Sequence, residues 1–132
     1  MNLLRLAQLS MAISFFFTCL SLFHTWNHGF NDEFFGVLYS SHAQFHAVRE
    51  VFFAAAIVIV VGIYMYGPKS IQTPLAWWVM FICSALLTAG VWLAMVITDN
   101  SFPNISASLN HIMNTLFAAI ALALCWKSFH PE

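Results

Sequence analysis

Four apolar stretches, each about as long as a bilayer's hydrocarbon core is thick, constrain this chain more than anything else in it. Crossing about 30 Å of lipid takes roughly 20 helical residues at about 1.5 Å each. Stretches at about residues 3–24, 46–66, 75–98 and 106–126 meet that requirement. Of the 132 residues, 61% are hydrophobic and 7% charged, whereas a soluble domain has about a quarter of its residues charged. Too few polar groups remain to cover a water-facing surface. The expected fold is therefore all-α, a single integral membrane domain over residues 1–132. The lipid bilayer is its expected surroundings, because a spanning helix satisfies its own backbone there.

The connections support this division. "GPKSIQTP" (67–74) and "DNSFPN" (99–104) are turn-forming segments rich in Gly, Pro, Asn and Ser. Ser106 is placed to cap the fourth helix. The longer "HTWNHGFNDEFFGVLYSS" (24–41) is aromatic enough to lie on the membrane surface. Short connections between antiparallel helices predict an up-down-up-down bundle. Arg5, Lys69 and Lys127 then flank the same ends of the helices. The positive-inside rule puts both termini and the 66–74 turn on the cytoplasmic side of the plasma membrane. Tyr64, Tyr66, Trp77, Trp78 and Trp126 fall at that level, as an aromatic belt would. Residues 1–24 also have the outline of a signal peptide, but without an A-x-A-like cleavage site they read as a retained helix.

Other functions are disfavoured by composition. A net charge of −1 with four basic residues supplies no basic stripe for nucleic acid. Cys19, Cys83 and Cys125 all lie in apolar runs and read as small hydrophobes rather than a disulfide framework.

The second and fourth spans reach full length only by taking polar residues in at one end. That end gathers a polar layer. It comprises His24 on the first helix, with His28 one turn beyond, and His42, His46, Arg49 and Glu50 on the second. The third adds Asp99 and Trp92, and the fourth Asn110, His111, Asn114 and Thr115. Of six histidines, only His130 lies elsewhere, in the tail. His42, His46, Arg49, Glu50 and Phe53 fall within about a third of one helix circumference. Charge inside a membrane costs about 2.5–3.5 kcal/mol at mid-bilayer and less near the edge, so such residues mark functional sites.

Three chemistries suit this layer. Imidazole and carboxylate together bind transition metals, so His24, His42, His46, Glu50 and His111 are candidate ligands for Zn, Fe or Cu. A metal with an open coordination position could activate water or dioxygen. Arg49 opposes this reading, since a fixed cation repels a metal. In the second, metal-free chemistry, His46 or Glu50 is a base and His111 an acid. Arg49 with Asn110 or Asn114 stabilises an anion. Trp92, Phe45 and Phe53 would wall the pocket. In the third, His46 and His111 ligate haem b, or the chain is an accessory subunit of a membrane complex. Against all three stands the plain alternative that polar residues are interhelical glue. The leading expectation is a metal-binding membrane protein, with a metalloenzyme acting on a hydrophobic substrate as its sharpest form. Association with itself or with a larger membrane complex is also expected of so small a bundle.

The segment "SSHAQFHAVRE" resembles the H-A-x-F-H motif of a small family of uncharacterised four-helix membrane proteins. There the motif similarly follows an extracytoplasmic loop and opens the second span. The resemblance covers roughly residues 39–53, with a looser match in "DNSFPN" and "NHIMN". It implies the same fold and brings no activity with it.

Overall fold

A computed structural model describes residues 2–30, 41–98 and 105–131, with the side chains of 28–30, 41–43, 98 and 106 left outside that description. Four long helices carry the fold: α1 (Leu3–Phe30), α2 (Ser41–Tyr66), α3 (Pro74–Thr98) and α4 (Ile105–Phe129). No strand occurs among the described residues. All four helices are long and apolar enough to cross a membrane, over Leu3–Asn27, Gln44–Tyr66, Pro74–Ile97 and Ala107–Phe129. The chain is an integral membrane protein.

Local chemistry sets the helix ends. Asn2 caps α1, its Oδ1 accepting from the Arg5 backbone N–H at 2.9 Å, a bond that satisfies one of the four donors a helix start leaves open. Pro74 opens α3, where its missing N–H costs nothing. Thr73 just before it accepts the Ala76 N–H on Oγ1 at 3.2 Å. Between α2 and α3 a single 3₁₀ turn, Lys69–Ile71, follows Gly67 and Pro68. A side chain on Gly67 would strike the Ile63 carbonyl and the Ile71 side chain, so only glycine fits there.

The second span, expected at about residues 46–66, runs over Gln44–Tyr66, and α2 itself begins at Ser41, so the backbone of the His/Arg/Glu stripe is helical as its spacing required. One boundary differs from the sequence expectation. Helix α4 begins at Ile105, which places Ser106 inside the helix instead of at its cap.

The main packing contacts run α1–α2, α2–α3, α3–α4 and α4–α1, with α1 and α4 the most extensively joined pair. Near one end, Gln8 Nε2 donates to the Met65 carbonyl at 3.0 Å and the Tyr66 hydroxyl donates to the Gln8 carbonyl at 2.6 Å. At the same end Trp77 Nε1 donates to the Leu122 carbonyl at 3.0 Å. Here lies the packed core, built from Ala7, Met11, Val61, Met65, Met80, Ala121, Cys125 and Phe129 among others. Methionine and alanine suit this place because flexible thioethers fill gaps where small residues let helices approach. Large apolar side chains such as Phe16, Phe52, Leu75, Val96 and Ile97 are exposed on the bundle, where lipid rather than water is the medium they suit.

Trp77 stacks on Phe81 at 5.3 Å and meets Trp126 edge-on at 4.6 Å. His130 joins this cluster. Its ring stacks on Trp126 at 3.7 Å, and its Nδ1 lies 3.1 Å from the Trp126 carbonyl. The histidine expected to be a loose tail residue is part of the packed end. The same carbonyl accepts the His130 backbone N–H at 3.0 Å, so backbone and ring both hold His130 on the last turn of α4.

Candidate functional site

The end of the bundle away from this core is hollow. A pocket of about 790 Å³ lies among all four helices, within the range of small-molecule sites. Helix α2 contributes His46, Arg49, Glu50, Phe53, Ala54 and Ile57 to its wall, and α4 contributes His111 and Asn114. Helix α1 adds Thr18, Ser21, Leu22 and Thr25, and α3 adds an apolar wall from Leu86 to Met95 that includes Gly90. The five residues expected to do acid–base work, His46, Arg49, Glu50, His111 and Asn114, therefore face one cavity.

Arg49 and His46 interact within α2, one turn apart, with a guanidinium nitrogen 2.9 Å from His46 Nδ1. A guanidinium offers donors only, so Nδ1 is the acceptor and the neutral ring carries its proton on Nε2. The sequence gives Arg49 an anion to stabilise; the described side chain it meets is His46. Arg49 also lies 6.0 Å from the centre of the Phe45 ring, a cation–π distance. Phe45 itself does not line the pocket, whereas Phe53 does.

Asn114 is buried and fixed from the other side. Ser14 donates to Asn114 Oδ1 at 2.6 Å and also approaches its backbone carbonyl at 3.1 Å. With the oxygen taken by Ser14, the carboxamide NH₂ is the group Asn114 has for the pocket. Asn110 is equally buried but outside the lining, so of the two asparagines only Asn114 belongs to the site. Trp92 is not a pocket wall either. Its Nε1 donates to Thr115 Oγ1 at 3.0 Å, and Thr115 donates to the His111 carbonyl at 2.8 Å. This chain of bonds ties α3 to α4 at the turn that carries His111.

Among the described residues, no group of three or more His, Cys, Asp or Glu side chains is placed to hold a metal ion. His46 and Glu50 sit on α2, His111 sits on α4, and the pocket lies between. His24 is half-buried with its ring edge-on to Phe23 at 6.0 Å, outside the pocket lining. The side chains of His28 and His42, and all of Asp99, lie outside the described residues.

Helix α1 supplies what sequence reasoning missed. Ser14, Thr18, Ser21 and Thr25 follow at steps of four, three and four, which places them on one face. The signal was legible as a polar stripe within an apolar helix. Ser14 and Thr18 are consumed within the seam, Thr18 donating to the Ser14 carbonyl at 3.1 Å. Ser21 is different: its Oγ is buried, lines the pocket and has no hydrogen-bond partner among the described residues. Such a hydroxyl costs about 1–3 kcal/mol unless something in the pocket meets it.

No protein-family model matches the chain, and no curated protein or solved structure matches it.

Proposed function

We propose that this is a membrane-embedded enzyme that moves protons on a hydrophobic molecule drawn from the lipid phase, without a resident metal. The observation that carries the reading is the convergence of His46, Arg49, Glu50, His111 and Asn114, from two helices, on one pocket with apolar walls. Glu50 is the base, because His46 Nδ1 already accepts from Arg49. Its carboxylate takes a proton from a substrate carbon, and the electron pair moves onto a conjugated substrate oxygen. Arg49 supplies donors to that oxygen, the kind of fixed electrostatic stabilisation that lowers such barriers most, and the Asn114 NH₂ is a second donor deeper in the pocket. His111 returns a proton at a second carbon, so the product is an isomer and no co-reactant is consumed. Glu50 then yields its proton to water and His111 regains one.

The reading places this site toward the outer face of an up-down-up-down bundle, with both termini cytoplasmic. Arg5, Lys69 and Lys127 support that orientation. The core side of α1, α2, α3 and α4 is then the cytoplasmic half, and the pocket lies in the outer half.

The test is deuterium uptake. Protein in phospholipid nanodiscs, supplied with a total membrane lipid extract, is incubated in heavy water and the lipids are analysed by mass spectrometry. A species that gains carbon-bound deuterium with the wild type, and not with Glu50→Gln or His111→Ala, supports the proposal. Folded wild-type protein that labels nothing overturns it. Metal content is measured on the same preparation. Near-stoichiometric Zn, Fe or Cu lost in His46→Ala, or a haem spectrum, would replace this reading with a metal or haem centre.

A further inference from the structure

The polarity of the pocket changes along its length. On α2 the lining runs from His46 to Ile57, eleven helical steps, or about 16 Å at the helical rise. On α3 it runs from Leu86 to Met95, nine steps, or about 14 Å. Arg49 and Glu50 bring charge to its outer end, while the end nearer the core carries Ala54, Ile57, Leu86 and Leu87 beside the uncharged Thr18 and Asn114. A cavity with charge at one end only fits an elongated molecule with one strongly polar end.

Gly90 adds an independent mark. A Cβ built on Gly90 meets nothing within 4 Å. This glycine is thus not required by helix packing, yet a mid-helix glycine costs about 1 kcal/mol relative to alanine. It stands in the apolar wall and leaves the pocket open at mid-length. The group able to donate at the charged end, the Arg49 guanidinium, calls for acceptor oxygens on the occupant.

We infer that the pocket binds a single-chain amphiphile whose headgroup is an acceptor oxygen, a carboxylate or a ketone, with its one hydrocarbon chain directed along α3 toward Leu86. The assignment rests on the proton-transfer site proposed above and names its substrate class. The bound headgroup lies at Arg49, and the chain passes over Gly90. The pocket volume of about 790 Å³ is that of a small-molecule site, so two-chain phospholipids remain in the bilayer.

Photolabelling of the protein in phosphatidylcholine nanodiscs tests this. The probes are twelve-carbon chains bearing a terminal diazirine and ending in a carboxylate, a methyl ketone or a primary amine, together with a diacyl phosphatidic acid bearing the same diazirine. The carboxylate or the ketone, or both, should label Ile57, Leu86 or Leu87; which of them does identifies the headgroup. Arg49→Gln should cut that labelling about tenfold, the value of one charge-assisted hydrogen bond. Gly90→Leu should abolish it while the protein keeps its melting temperature, since nothing stands where the new side chain goes. Should Gly90→Leu fail to fold, Gly90→Ala replaces it and must reduce labelling. Equal labelling by the amine, by the diacyl probe, or in Gly90→Leu would overturn the substrate class. Deuterium uptake is read in parallel. Labelling without uptake would refute the enzyme and leave the amphiphile site, and uptake without labelling would do the reverse.

Discussion

Asn114 serves two tasks with one carboxamide. Its oxygen locks α4 to α1 through Ser14, and its NH₂ remains for the pocket. The account separates these tasks by substitution. Ser14→Ala removes an interhelical bond inside the membrane, and such bonds average about 0.6 kcal/mol with a maximum near 1.7. Reversible unfolding in mixed micelles should show a loss of that size; no loss would mean the Ser14 bond does not hold the seam. Asn114→Ala should lose at least as much and also the pocket donor, so deuterium uptake should fall as well. Among single residues, His46, Arg49, Glu50, His111 and Asn114 were legible because polar side chains in apolar spans are costly and therefore conspicuous. Ser21 and Gly90 were not, since small residues are ordinary in membrane helices. Their meaning depends on which wall they occupy, and that is decided by packing across helices.

At the scale of elements, glycine separates helix chemistry from loop chemistry. Gly62 lies inside α2, where an added Cβ would make ordinary contact with Phe15 at 3.7 Å. Gly62→Ala should stabilise the protein by about 0.5–1 kcal/mol through helix propensity alone. Gly67 stands at the turn, where the same added carbon would strike Ile63 and Ile71. Gly67→Ala should lower the melting temperature. Opposite shifts are expected from one calorimetric series, and a destabilised Gly62→Ala would show that α2 packs more tightly against α1 than described. The existence of four helices was readable from apolar length. Their starts were less so: α2 continues back to Ser41 because its polar first turns are still helix formers, and hydropathy falls before helicity does. The polar stripe on α1 escaped notice for the same reason, with hydropathy summed over a helix hiding which face is polar.

Among the described residues, the bundle is packed at one end and surrounds a pocket toward the other. Met11, Met65, Met80 and Phe129 fill the solid end, and Trp77 binds it by its indole N–H to α4. At the hollow end the polar residues stand around open volume. This division was only half legible. The sequence places the histidines, but the emptiness around them follows from side-chain volumes meeting across four helices. His130 illustrates the limit, since its place on Trp126 depends on where α4 ends relative to α3. His130→Ala should cost about 0.5–1.5 kcal/mol of stability, the worth of an aromatic pair, and leave the pocket unaltered. Orientation carries its own prediction. In inside-out vesicles a cysteine introduced at Ser70 should react with a membrane-impermeant maleimide; reaction only in right-side-out vesicles would invert the bundle.

The measurement that bears most directly on the central claim is deuterium incorporation into membrane lipids by three nanodisc preparations: the wild type, His111→Ala and His130→Ala. The account predicts a labelled lipid isomer with the wild type and with His130→Ala, and none with His111→Ala. Equal labelling by all three, or labelling lost only with His130→Ala, would place the chemistry outside the pocket and contradict the account.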